Sequence, residues 1–261
     1  MIHSMNNISL KESIGISMPV LNEVNTIAQV LTEMIKELRE INYTICIVDD
    51  GSTDGTLDII NNFINKAANI QLIKTKKKSY GCQRGAASRT ALEWLIAHTN
   101  HTIFVEIDAD GAQHPNELLN GIKLISGSNY DIAIASKYVD GSKIIGRSVF
   151  RNFVSLCMSS IARLLISPGI RDYSNSYRFY NRRSAKLILK SKPKYTSPIY
   201  LFEILVIWIA NDYAITEIPT TYNAKNNSTS KVTMIDMIKG FFSLLEISFR
   251  FRKGAFNAKQ T

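Results

Sequence analysis

From Ile14 to Ser136, short apolar runs alternate with stretches whose apolar residues recur at helical spacing. Ile14 to Val20 is the first run. It ends in Met18-Pro19-Val20-Leu21-Asn22-Glu23, where proline stops a strand ladder and opens a loop. Ile27, Val30, Leu31, Met34, Ile35 and Leu38 then mark a helix within Val24 to Ile41. Tyr43 to Val48 reads as a second strand, rich in β-branched residues. A helix follows over Leu57 to Ala68, and a third strand over Ile70 to Ile73. Gly85 to Ala97 is helical, Thr102 to Ile107 is a buried strand, Pro115 starts another helix, and Asp131 to Ser136 is a fifth strand. Strands and helices alternating at this length predict an α/β fold with a doubly wound, mostly parallel sheet.

Beyond Tyr138 the pattern changes. Ser148 to Ile166 predicts a long amphipathic helix with Arg147, Arg151, Ser155, Ser159 and Arg163 as a polar stripe. A core helix and a surface helix both fit it. Ile199 to Ala210 is too short to span a bilayer, contains Glu203, and reads as a buried helix. Thr233 to Phe251 is broadly apolar and is followed by basic residues, which suits a helix lying in a membrane interface. The expected division is a catalytic domain over 1–231 and an amphipathic C-terminal segment over 232–261.

The predicted strand ends carry the candidate chemistry. Ligands of doubly wound sheets bind outside the carboxyl ends of the strands. Pro19 to Glu23, Asp49-Asp50, the basic loop from Lys74 to Gly85, and Asp108-Ala109-Asp110 all fall there. Charged groups at the lip of a core strand need a partner, and a divalent cation carrying a nucleotide diphosphate supplies one. Asp49 or Asp50 can accept hydrogen bonds from base and ribose, while Asp110, with Asp108, can hold Mg²⁺ or Mn²⁺ through oxygen. The formal charge of +9 points to phosphate-bearing partners. From Lys137 to Lys192, twelve lysines and arginines face only Asp140 and Asp172. Cys46, Cys82 and Cys157 are far apart and read as free thiols. His101 and His114 lack a second histidine at ligand spacing and read as structural or surface residues. Trp94 and Trp208 read as core.

At these residues the sequence resembles the family-2 glycosyltransferases of GT-A fold, in the dolichol-phosphate mannose synthase branch of polyprenyl-phosphate sugar transferases. The resemblance rests on Met18-Pro-Val-Leu-Asn-Glu23, Val48-Asp-Asp-Gly-Ser-Thr-Asp-Gly-Thr56, Asp108-Ala-Asp-Gly-Ala-Gln-His-Pro115, Ala135-Ser-Lys-Tyr138, Asp172-Tyr-Ser-Asn-Ser-Tyr-Arg178 and the segment Lys225 to Lys231. It implies a Rossmann-like nucleotide-diphospho-sugar fold and an inverting, metal-dependent transfer to a polyprenyl phosphate. It also implies that Pro19, Glu23, Asp49, Asp50, Asp108 and Ala109 line the donor pocket, with Lys137, Arg151, Lys225 and Lys231 at phosphates. Asp108 and Asp110 become the metal ligands. Ala112 stands where a third ligand is common, so Gln113, one residue on, is the candidate. Asp110, Arg151 and Asp172 are the catalytic candidates.

Two alternatives stay open. A saccharide hydroxyl acceptor would need a general base, for which Asp172 and Glu203 are available. A non-enzymatic nucleotide- or nucleic-acid-binding module would use the basic surface, although clustered acids at the rim repel a phosphate backbone, so nucleic acid is not the expected partner. The expected partners are a nucleotide-sugar donor, a lipid phosphate, a membrane surface and, optionally, a membrane subunit, with the protein peripheral at the cytoplasmic membrane face.

Overall fold

The computed structural model describes residues 12–67, 69–75, 83–224 and 234–257. Seven strands form one sheet: β1 (Ser13–Val20), β2 (Asn42–Asp49), β3 (Ile70–Lys74), β4 (Ile103–Glu106), β5 (Ile132–Ser136), β7 (Arg178–Asn181) and β8 (Ile215–Pro219). Their order across the sheet is β3-β2-β1-β4-β7-β5-β8. All neighbours are parallel except β7, which runs antiparallel between β4 and β5. Two further strands, β6 (Lys143–Ile145) and β9 (Thr221–Asn223), pair parallel beside the main sheet.

The five strands read from periodicity are present within a residue or two. Strand residues alternate between two cores, as a pleated sheet covered on both faces requires. Ile14, Ile16, Met18, Ile45 and Ile47 face α1 (Ile27–Glu37), α2 (Thr56–Ile64) and α4 (Leu118–Gly127). Cys46, Val48 and Phe104 face α3 (Arg84–His98), α6 (Arg182–Ser191) and α7 (Tyr200–Ala210). Pro115 opens a 3₁₀ turn, Pro115–Glu117, before α4 begins. Trp208 is fully buried; Trp94 is only half-buried and stacks on His98. His101 is buried, with Nε2 2.9 Å from Thr44 Oγ1, as a structural histidine should be.

β7 is not legible from periodicity. It is four residues long and Asn181, its last, caps α6 by accepting the Ser184 N–H at 2.9 Å. Its insertion places Arg178 opposite Glu106. Arg178 is wholly buried and donates to the carbonyls of Asn175, Leu201 and Tyr173 at 2.9, 2.7 and 3.0 Å. These bonds bind the 172–178 segment to the sheet.

α5 (Val149–Leu165) and α8 (Met234–Arg252) pack against each other. α5 is turned polar side in. Ser155 and Ser159 are buried, whereas Phe153 is 63% exposed and Leu164 is 83% exposed. α8 buries Leu244 and Ile247 but leaves Phe242 65% exposed, along with Ile235, Ile238 and Phe249. α5 is therefore not an ordinary core helix. No helix among the described residues is long and apolar enough to cross a membrane.

Candidate active site

β1, β2, β4 and β5 end at one rim, and a cavity of about 690 Å³ opens there. The register sets its acids. Val20 pairs with Asp49, and the Asp50 N–H reaches the Val20 carbonyl at 3.0 Å, so the chain turns off β2 beside Pro19. The Ile107 N–H donates to the Ser17 carbonyl at 3.2 Å, which carries the chain off β4 toward Asp108. Asp110 then closes a turn by accepting the Ala112 N–H at 2.9 Å, with Gly111 at φ 71°. The Thr26 hydroxyl donates to the Ala109 carbonyl at 2.9 Å and fixes the loop from the α1 side.

Pro19, Glu23, Asp50, Asp108, Ala109 and Asp110 line the cavity, as do Lys137 and Arg151. Asp49 does not. Its carboxylate accepts the N–H groups of Gly51 and Ser52, both at 3.1 Å, and it is buried. Asp49 holds the turn, and Asp50 is the acid of the pair that faces the cavity. Lys225 and Lys231 lie outside the described residues, as do Lys76, Lys77, Lys78, Gly81, Cys82 and the 231/232 domain boundary.

Two expected roles are corrected by the geometry. Gln113 is 2% exposed and does not reach the cavity. Its Oε1 accepts the Asp108 N–H at 3.0 Å, and its Nε2 donates to Asn175 Oδ1 at 3.1 Å and Ser176 Oγ at 2.5 Å. Both ends of the amide are engaged inside the protein, so Gln113 is a strut under Asp108 rather than a metal ligand. Asp172 is fully buried and also absent from the cavity wall. Oδ1 accepts from Ser174 N and Asn175 N, and Oδ2 from Lys137 N. Burial alone would raise its pKa, but the Lys137 ammonium and these hydrogen bonds hold the carboxyl below its ordinary range. An ionised carboxylate with its lone pairs filled and no access to substrate is not a general base. Glu203 is likewise structural: it is buried, accepts the Tyr195 N–H at 2.9 Å and meets Arg250 at 3.4 Å.

Several wall residues have no counterpart among the expected site residues. Arg147 lies four residues before Arg151, just ahead of the Ser148 cap of α5, and that spacing was available as a signal. Tyr222, on the three-residue β9, had none. Its ring lies under both Lys137 Nζ, 5.5 Å from the centroid, and Arg147 Cζ, at 5.4 Å. Burial and the Asp110 carboxylate raise its phenol above the ordinary range, so it stays protonated and able to donate. Arg84, at the start of α3, donates from Nε to Asp108 Oδ1 at 2.8 Å. The cavity continues past Arg151 to apolar residues of α5 and α8, including Val154, Met158 and Met237.

Carboxylates, carbonyls and hydroxyls are hard oxygen donors. Among the described residues no three His, Cys, Asp or Glu side chains cluster closely enough to hold a metal by themselves. Asp110 and Asp108 fit a magnesium-like ion that takes one or two carboxylates and completes its shell with substrate phosphates and water.

A family model described as Glycosyl transferase family 2 matches residues 16–189. The chain belongs to glycosyl transferase family 2. It is a glycosyltransferase. This family-2 transferase is 28% identical over 210 residues to the polyprenol monophosphomannose synthase of Mycolicibacterium smegmatis, covering 80% of this chain and 77% of that one. It is 27% identical over 255 residues to a dolichyl-phosphate beta-glucosyltransferase of Trichomonas vaginalis, covering 92% and 72%. Its fold matches glucosyl-3-phosphoglycerate synthase from Mycobacterium tuberculosis, solved with Mn²⁺, UDP-glucose and phosphoglyceric acid. The TM-score is 0.64 at 17% identity, over 92% of this chain and 80% of that one. The same enzyme solved with Mg²⁺ and UDP gives 0.64 over the same shares. The sheet is thus the GT-A sheet.

Proposed function

We propose that this transferase moves a sugar from a nucleotide-sugar donor to a polyprenyl phosphate by one inverting displacement. A phosphate oxygen of the acceptor attacks the anomeric carbon as the bond from that carbon to the donor's diphosphate breaks, and the nucleoside diphosphate leaves. The acceptor phosphate is ionised at neutral pH, so the attack needs no strong base. One observation carries this reading over a hydroxyl acceptor. Arg147 and Arg151 line the cavity where it becomes apolar, whereas Asp172 and Glu203, the two bases considered for a hydroxyl acceptor, are sealed in the protein; Asp236 of α8 also lies on the cavity wall. A cationic end followed by an apolar channel suits a phosphate carrying a hydrocarbon tail. The names of the two relatives support the same acceptor class.

In this reading Pro19, Glu23 and Asp50 receive base and ribose, and Asp108, Ala109 and Asp110 meet the diphosphate. Mg²⁺ or Mn²⁺ held at Asp110 and Asp108 offsets the charge that develops on the leaving group. Lys137 is held by Asp172 and Ser174, both at 3.2 Å, which orients its ammonium as a donor at the sugar end. Arg151 and Arg147 meet the acceptor phosphate, with the Tyr222 hydroxyl as a further donor. Lys225 and Lys231 belong to the same proposal as phosphate contacts, on the strength of the sequence motif. The outward apolar faces of α5 and α8, with Arg252 and Lys253 beside them, support docking on a membrane surface from which the lipid phosphate reaches the cavity.

The donor half is tested by melting the purified protein with each nucleoside diphosphate, with and without Mn²⁺. The reading expects one base to raise the melting temperature only when Mn²⁺ is present. No response to any nucleotide contradicts it.

A further inference from the structure

The acid at the end of β4 is held by a cation of the protein's own. Arg84 is the first residue of α3, and its backbone is fixed from outside the helix. A Cβ on the next residue, Gly85, would stand 2.5 Å from the Tyr200 Cβ, and the Ala86 N–H donates to the Thr196 carbonyl at 3.1 Å. The guanidinium reaches forward from that anchor. Nε meets Asp108 Oδ1 at 2.8 Å, and Nη1 lies 3.7 Å from the wholly buried Glu106. Ser176 Oγ takes the other Asp108 oxygen at 2.6 Å. Both carboxylate oxygens of Asp108 therefore have partners before a ligand arrives, and one partner is positively charged.

The electrostatic consequence has opposite signs for the two components of a metal–diphosphate complex. Opposite charges attract and like charges repel most strongly where water is scarce, and the Arg84 side chain is only 11% exposed. A lone divalent cation meets carboxylates already partly neutralised by an adjacent guanidinium. A diphosphate is drawn toward the same positive charge instead of being repelled by bare carboxylates.

We propose that Arg84 is a positioning residue that holds Asp108 and tunes the site against a divalent cation alone and toward a cation that arrives with a nucleoside diphosphate. This rests on the donor-site reading above. Removing the charge should make the free protein bind Mn²⁺ more tightly and bind the nucleoside diphosphate more weakly. A merely structural role would weaken both.

The test measures free Mn²⁺ by electron paramagnetic resonance in titrations of wild type, Arg84→Gln, Arg84→Lys and Asp108→Asn. Each is run alone and with UDP or GDP, and circular dichroism reports folding. The expected result is Mn²⁺ affinity in Arg84→Gln without nucleotide about tenfold above wild type, with nucleotide affinity reduced by a similar factor. Arg84→Lys should stay near wild type. Asp108→Asn, which leaves the guanidinium with Glu106 as its acidic partner in place of two carboxylates, should weaken Mn²⁺ binding and strengthen metal-free nucleotide binding. Unchanged or weaker Mn²⁺ binding in folded Arg84→Gln overturns the proposal. If that variant does not fold, unchanged metal-free nucleotide binding in Asp108→Asn overturns it instead. Failure of wild type to bind any nucleoside diphosphate overturns the donor-site reading, and the Mn²⁺-only comparison still decides the role of Arg84.

Discussion

Lys137 Nζ lies 3.2 Å from Asp172 Oδ2, and neither side chain has appreciable access to solvent. The pair joins the end of β5 to the 172–178 segment, and Ser174 and Asn175 complete the carboxylate's hydrogen bonds. Breaking a buried pair from one side leaves an uncompensated charge, which costs about 3–5 kcal/mol. Asp172→Ala should lose stability on that scale in urea unfolding. The Asp172 pKa is depressed in the folded state, so its contribution is present above the ordinary carboxylate pKa and is lost as the pH falls through the folded value. The variant should therefore be less sensitive to acid than wild type. A variant as stable as wild type but catalytically dead would restore Asp172 as a base.

His101 gives a second pH signal, at the opposite end of the strands from the rim. Burial, and then Arg182, bring its pKa down from 6.5 to about 4. The unfolded chain binds the extra proton between those values, so stability is full above pH 6.5 and declines as the pH falls toward 4. The integrated loss is about 3 kcal/mol for a shift of this size. His101→Gln should flatten the stability profile between pH 6.5 and 4, as read by denaturant midpoints. An unchanged slope would show that His101 titrates normally.

The outward faces of α5 and α8 predict where the protein touches lipid. Burying an exposed phenylalanine gains about 1.5–3 kcal/mol. Phe153→Asp with Phe242→Asp should reduce sedimentation with anionic vesicles by at least about a hundredfold in partition, while nucleotide-induced melting shifts remain. Wild-type partition in the folded double variant would remove the membrane from the account.

Arg151 and Asp110 separate acceptor from donor. Loss of a charged contact to the acceptor phosphate costs about 1.5–3 kcal/mol, or about 10–10² in kcat/KM. Arg151→Ala should lower kcat/KM for the lipid phosphate on that scale and leave the Mn²⁺-dependent nucleotide melting shift intact. Asp110→Asn should abolish that shift. The reverse pattern would exchange their assignments.

Much of this was legible in the chain because parallel strands buried on both faces write continuous apolar runs, and the acids at their ends are adjacent in sequence. Ile14–Val20, Tyr43–Val48 and Ile103–Ile107 fixed the sheet, and with it the meeting of Asp50 and Asp108. What was hidden has a common cause. β7 is short and antiparallel, and its central residues serve as a wedge between β4 and β5, so no period marks it. Asp172 looked like a base because its partner, Lys137, lies 35 residues earlier in the chain, just past the end of β5. Gln113 and Asp49 bear the right groups near the right place, but side-chain direction decides function, and both turn into the protein. The polar stripe on α5 was visible, but which side of that helix faced the protein was not. A polar stripe of serines points inward only because Ser174 and Tyr173 wait there to bond Ser155 and Ser159, at 2.8 and 3.3 Å.

The central claim is sugar transfer to a lipid phosphate at the rim of this sheet. Its most direct test incubates the purified protein with Mn²⁺, polyprenyl phosphate and each of a panel of radiolabelled nucleotide sugars, then extracts with organic solvent. The account predicts label from one donor in the organic phase, released by mild acid, with inverted anomeric configuration and dependent on Asp110. Label that enters no lipid from any donor, or enters only a saccharide stable to mild acid, would contradict it.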